Sequence, residues 1–416
     1  MSLKDKIACV ITDGLFLPLA TRLARDFGKV YFYSTWEKGS PFFKDGNLGV
    51  GLEGVERENY PLSLIGTKNE PNLWVFPDIS ENDLQGHLRS IGKRIWGSGR
   101  GHMIENDRWL LKETLDKAGL PVIYTRLVKG VDALRKILEE EENLFIKVST
   151  WRGDTETREH KSWAQTQFWW FDMCKDLGPL CNSMEFLVEW PIEDATEVGV
   201  DGIIIDGTVI HPMMIGYEIK DSAYFGKVVE EPPEILAKSL RVMADWLKGK
   251  NYANFFSTEM RITKAGECFF TDASARRPCP PGEVHDEMWS NLCPVMYSQL
   301  RSARLEAVAK YACELILSSD YAGQRPVEIS YPEKWANRVK IYRAVKVDGK
   351  TFATPDEYHT EQVGAVVGLG ATMQAAEDEA KAIADEVKGF HISYDEGVFD
   401  KAKKQIAAGE KLGIRF

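Results

Sequence analysis

The sequence predicts an α/β protein of two or three domains, on three observations. Its 416 residues exceed what one hydrophobic core usually organises. An apolar run at 6–12, a helical pattern through Leu17, Ala20, Leu23, Ala24 and Phe27, and a second run at 29–33 read as strand, helix, strand, so the sheet they begin is parallel. Farther on, the runs Phe255 to Ile262 and Cys268 to Ala273 flank a Lys264-Ala265-Gly266 turn and read as an antiparallel hairpin.

The totals exclude several classes. Hydrophobic content of 44% and charged content of 28% are those of an ordinary globular protein. The formal charge of −11 and the lack of a basic tract argue against nucleic-acid binding. No run of about eighteen apolar residues exists, and the start Met-Ser-Leu-Lys-Asp-Lys lacks a signal-peptide core, so no membrane span and a cytoplasmic location are expected. Seven cysteines without CxxC spacing read as reduced thiols, neither a disulfide framework nor a zinc site. The seven histidines also lack ligand spacing.

Taken in order, the first strand has no GxGxxG after it, so a dinucleotide fingerprint is absent. A strand follows at 73–78, then a helix over 80–94 with Ser80 as its N-cap. Trp96-Gly97-Ser98-Gly99-Arg100-Gly101 breaks the pattern and marks a domain border. Asn106 or Asp107 caps a helix from Arg108 to Ala118, which Gly119-Leu120-Pro121 stops. After a helix at 131–140, Asn143 to Ser149 forms an apolar strand with Lys147 at its centre. A lysine there is costly to bury without an anionic partner such as a phosphate; snorkelling to solvent from an edge strand is the other reading. The helix at 162–177 carries Trp163, Phe168, Trp169, Trp170 and Phe171 at spacing that suits packing better than base stacking. Strand-like runs at 184–190 and 195–205 precede a segment with Lys220 and Lys227, and a helix spans 233–248. Beyond Gly282 an amphipathic helix is expected to reach about Leu317, and the tail holds a helix at 374–387 and a last segment from Gly397.

Chemistry concentrates on the hairpin. Glu259 and Asp272 lie thirteen positions apart (272 − 259), and folding about residues 264–266 brings them close to opposite each other. Two carboxylates in one place repel unless a cation separates them, and oxygen-only ligands suit Mg²⁺. Arg276 and Arg277 follow at once, so a cation site and an anion site adjoin, as phosphoryl transfer requires. A surface hairpin with scattered charges is the bland alternative.

The order Glu259-x12-Asp272-x-Ser274-x-Arg276 resembles the closing strands of the ATP-grasp superfamily, with Ser274 where an Asn is usual. The stretch from Asp107 to Lys112, ending in Ala118-Gly119-Leu120-Pro121-Val122, resembles that family's opening helix, which assigns Arg108 to the nucleotide phosphates. By the same resemblance Lys147 contacts adenine and phosphate, and Arg152 and Gly153 belong to a lid loop at 149–155. Glu189 and Trp190 form the adenine hinge, and Glu197, eight positions on (197 − 189), takes the ribose hydroxyls. Lys227 approaches the terminal phosphate, a place that Lys220 fits nearly as well. The tail from Gly364 resembles the C-terminal domain of glycinamide ribonucleotide synthetases.

The resemblance implies an α/β (α+β) chain in three parts. These are an N-terminal parallel βαβ domain at 1–103, an ATP-grasp domain at 104–325 and a C-terminal cap at 326–416. The middle part divides into two α+β lobes, 104–184 with the lid and 185–325 with the hinge and the metal hairpin. The implied activity is ligation of a small-molecule carboxylate to an amine through an acylphosphate, releasing ADP. ATP and Mg²⁺ or Mn²⁺ are the implied cofactors, with Glu259, Asp272 and Ser274 on the metal and Arg276 as the catalytic residue. A non-catalytic ATP-binding scaffold and a small-molecule kinase are the alternatives, and a homodimer stays open.

Overall fold

The computed structural model describes residues 2–12, 14–34, 48–149, 157–356 and 359–416. The chain begins with β1 (Leu3–Ile11), α1 (Leu17–Ala24), β2 (Phe27–Tyr33), β3 (Val55–Arg57), β4 (Leu73–Val75), α2 (Asn82–Ser90) and β5 (Ile95–Trp96). Its strands form a parallel sheet in the order β3-β2-β1-β4-β5. Such a sheet needs cover, and the apolar residues of β1 and β2 are buried together with Leu17, Leu19, Ala20 and Leu23 of α1. The helix expected at 80–94 is shorter. Glu81, not Ser80, stands at its start in a left-handed conformation (φ 58°), and Gly92 (φ +79°) turns the chain out toward β5.

Next come α3 (Met103–Asn106) and α4 (Arg108–Lys117). The Asp107 carboxylate caps α4 by accepting from the Leu110 amide at 2.9 Å, as the sequence suggests. Then follow β6 (Thr125–Lys129), α5 (Val131–Glu140), β7 (Leu144–Val148), β8 (Thr157–His160), α6 (Trp163–Leu177) and β9 (Glu185–Glu189). These strands pair antiparallel in the order β6-β9-β7-β8. Leu134 and Leu138 of α5 and Trp170 of α6 pack on Ile146, Phe186 and Val188. The aromatic helix divides its residues: Trp170 is buried, whereas Phe168 and Phe171 are exposed.

The largest element builds from β10 (Ala195–Ile205), β11 (Thr208–Ile219), β12 (Ala223–Val229), α7 (Glu234–Leu247), β13 (Ala253–Thr263) and β14 (Cys268–Ser274). It continues through α8 (Gly282–Met288), α9 (Leu292–Ser298), β15 (Tyr311–Ser318), β16 (Val327–Ser330), β17 (Val339–Ile341), β18 (Ala344–Val347), β19 (Lys350–Ala353) and β20 (Gln362–Gly370). Last are α10 (Met373–Glu386), β21 (Lys388–Gly389) and α11 (Val398–Lys411). Eight strands join as β14-β13-β10-β11-β12-β15-β20-β17, and four more as β18-β19-β16-β21. Leu236, Leu240 and Met243 of α7 cover one face of the large sheet through Val200, Ile215, Phe256 and Met260.

One expectation fails here. The amphipathic helix drawn to Leu317 is two short helices and then β15, a strand paired between β12 and β20 and buried on both faces. β15 pairs with β20 from Tyr311 to Ser318, so one sheet runs across the position expected as the 325/326 border. All seven cysteines are free thiols, and no helix among the described residues is long and apolar enough to cross a membrane.

Candidate nucleotide and metal site

The hairpin sets Glu259 directly opposite Asp272. This pairing depends on a β-bulge: Met260 pairs with Phe270, so Thr271 is an extra residue, and its hydroxyl donates to the Glu259 carbonyl at 2.9 Å. Without the bulge Glu259 would face Thr271, and Asp272 would turn to the covered face of the sheet.

Alternation along the neighbouring strands brings further groups onto the face of Glu259. Arg261 pairs with Glu197, Glu259 with Gly199 and then Gly216, and Ser257 with Asp201. Arg261 holds a single oxygen of Glu197, with Nε and Nη2 both 2.9 Å from Oε2. Asp201 accepts from the Tyr224 hydroxyl at 2.6 Å and the Ser257 hydroxyl at 2.5 Å. The Tyr224 ring lies over Gly216, where a Cβ would come within 2.1 Å of it. Glu197, Gly199, Asp201, Gly216, Glu218 and Glu259 line one small cleft. Burial, then Asp272 and Glu197, push the Glu259 carboxyl up to about 7. Burial also lifts Asp201, to about 6, against its two hydroxyl donors.

Cations face these acids. Lys147 on β7 places Nζ 3.2 Å from Glu189 Oε2, and Lys112 on α4 places its own 2.6 Å from Glu189 Oε1. Arg108 donates to the Val148 carbonyl at 3.0 Å and stands 3.8 Å from Asp272 Oδ2. Burial lowers the pKa of Lys112. Burial opposes the charge of Lys147 too, but Glu189 and Asp272 outweigh it and raise its pKa. Lys147 in turn favours ionisation of Glu259, so this ammonium faces both hairpin acids. The sequence reading did not include Lys112; its place four residues after Arg108, on the same helix face, is the signal that finds it.

Other expected residues lie apart from this group. Lys227 pairs with Ile215 and therefore projects from the opposite face, where Nζ donates to the Arg415 carbonyl at 2.9 Å. Arg276 is held by Glu105 at 2.9 Å and Asp78 at 3.7 Å. Arg277 is no anion ligand but a core residue, fully buried between Glu283 at 3.1 Å and Asp286 at 2.7 Å. The Trp190 amide is spent on the Tyr124 carbonyl at 3.2 Å, and its ring packs against Tyr124. Ser274 pairs with Ser257 and so shares the face of Glu259. Arg152 and Gly153 lie outside the described residues.

Among the described residues no three His, Cys, Asp or Glu side chains are grouped to hold a metal ion. Mg²⁺ needs only one or two carboxylates when phosphates and water complete its shell, and the opposed Glu259 and Asp272 fit that demand. A pH effect follows. The folded pKa of Glu259 lies above its ordinary 4.5, so its contribution to stability is fully present below that value and lost as pH rises through about 7. The melting temperature of metal-free protein falls over this window, and Glu259→Gln flattens the fall. Thermal unfolding in chelator checks this; an equal slope in the variant would contradict it.

No family model and no curated protein matches this chain. Solved structures do match, and they define the architecture as the ATP-grasp fold. The phosphoribosylamine–glycine ligase of Thermotoga maritima superposes with a TM-score of 0.69 at 16% identity, covering 93% of this chain and 98% of that one. Biotin carboxylase of Campylobacter jejuni gives 0.67 at 14% identity, covering 94% and 93%. An L-amino acid ligase of Bacillus licheniformis gives 0.60 at 14% identity, covering 94% and 99%. At such identities the likeness establishes the fold alone.

Proposed function

We propose that this protein is an ATP-dependent ligase that joins a small-molecule carboxylate to an amine through an acylphosphate, with release of ADP and phosphate. One observation carries the reading: Arg108 and Lys112 of α4 and Lys147 of β7 gather beside the hairpin acids, Arg108 within 3.8 Å of Asp272 and both lysines under its electrostatic influence. The names of two structural neighbours, phosphoribosylamine–glycine ligase and L-amino acid ligase, support the reaction class.

Glu259 and Asp272 would hold Mg²⁺ or Mn²⁺, which would supply neutralising charge to the transferred phosphoryl group. Lys147 and Arg108 attract the phosphate oxygens, and Glu189 fixes the positions of both lysines. Arg261 holds Oε2 of Glu197, which leaves Oε1 as the acceptor that would take the ribose hydroxyls. Arg276, steadied by Glu105, orients the substrate carboxylate and its developing charge, an effect of about 3 kcal/mol for one well-placed donor.

The test is ADP release from ATP and Mg²⁺ with a panel of carboxylates, with and without amines. Release that needs both substrates is expected. Release with a hydroxyl acceptor would show a kinase, and nucleotide binding without release would show a scaffold.

A further inference from the structure

We infer that the cavity between α10, α11 and the start of β15 binds a free α-amino acid with an apolar side chain, at a place apart from the nucleotide and metal site. The cavity holds about 410 Å³, the size of a small-molecule pocket. Tyr311 lines it and pairs with Lys227, which pairs with Ile215, then Val200, then Thr258. Paired residues share a face, so the cavity lies against the face of the sheet opposite Glu259.

Three parts of its wall match the three parts of such a molecule. The first takes a carboxylate. The Thr372 hydroxyl accepts from the Ala375 amide at 3.2 Å, which leaves the amides of Met373 and Gln374 at the start of α10 without an intrahelical acceptor. Lys310 stands on the same rim, exposed and without an ion pair among the described residues. Burial and then Lys310 lower the pKa of Lys227, which Glu410 offsets only in part, so an anion here relieves two ammoniums that repel. The second part takes an ammonium. Glu377 lines the cavity with its side chain only 4% exposed, and it makes no hydrogen bond among the described residues. Its ion-pair contact is Lys403 Nζ at 4.0 Å, too long for a hydrogen bond, from a side chain that is 57% exposed. Glu377 lies four residues after Met373, so it shares the helix face of the free amides and leans back toward them. A simple anion on those amides would meet this carboxylate, whereas an α-amino acid sets its ammonium between the two. The third part is apolar: Ile406 of α11 and the rings of Tyr311 and Phe416, 6.1 Å apart, take the side chain.

Isothermal titration of the full chain with the apolar L-amino acids, leucine first, tests this. Leucine binds, and the same molecule without its amine (isocaproate) or without its carboxylate (isoamylamine) binds at least about tenfold more weakly. Glu377→Gln keeps the shape, leaves the melting temperature unchanged or higher, and weakens leucine by at least about tenfold. Ala407→Trp, placed on the exposed rim, fills the cavity and abolishes binding. No heat from any of these amino acids at about 10 mM, isocaproate binding as tightly as leucine, or binding undiminished in either variant would overturn the assignment.

Discussion

If the proposed ligase reading holds, Asp272→Asn lowers ATP turnover by about a thousandfold while leaving the chain folded, the loss expected when about 4 kcal/mol of metal-borne stabilisation goes. Asp272 opposes Glu259 across the bulged hairpin and stands 3.8 Å from Arg108, so its charge acts on both the opposed acid and this guanidinium. Asn keeps the shape and still accepts from the Ala273 amide, a bond that Asp272 makes at 2.9 Å. The substitution also removes a like charge beside Glu259, so metal-free protein does not lose stability. Steady-state ADP release and thermal unfolding read the two halves of this expectation. A variant that turns over within about tenfold of wild type would take Asp272 out of the metal shell.

Arg277→Met destabilises the protein by about 3–5 kcal/mol, because it strands buried charges. The guanidinium is fully buried, bonded to Glu283 and Asp286, with its cationic face 5.6 Å from the centre of the Phe16 ring. Neighbouring Glu314 is held well above the ordinary carboxylate range by burial and then by Glu283, so this cluster already holds as much negative charge as it can. The arginine's amide also donates to the Pro77 carbonyl at 2.8 Å, which ties the segment after the hairpin to the end of the parallel sheet. Replacing Arg277, Glu283 and Asp286 together by apolar residues of similar volume costs far less, since no charge is left alone. Urea unfolding of both variants tests this; equal losses would mean that packing and not charge pairing dominates.

The sequence made the hairpin legible because alternation and the Lys264-Ala265-Gly266 turn specify strands locally. Lys147 stood out as a lysine inside an apolar strand, and Arg108 as the first residue of a capped helix. What stayed hidden depends on partners distant in the chain. The bulge at Thr271 is invisible without the pairing of β13 and β14. Which face Lys227 takes is settled only by the register of β12 on β11. β15 reads as a helix until β12 and β20, far away in sequence, pair with its two edges. Lys112 looks like a solvated helix residue until Glu189 arrives from β9.

A structure of the protein with Mg²⁺ and a non-hydrolysable ATP analogue tests the central claim most directly. The account predicts a metal ion bound by Glu259 and Asp272 and bridged to the phosphates, with Lys147 Nζ within hydrogen-bond distance of a phosphate oxygen. A nucleotide seated elsewhere, or a metal ion that touches neither acid, would contradict it.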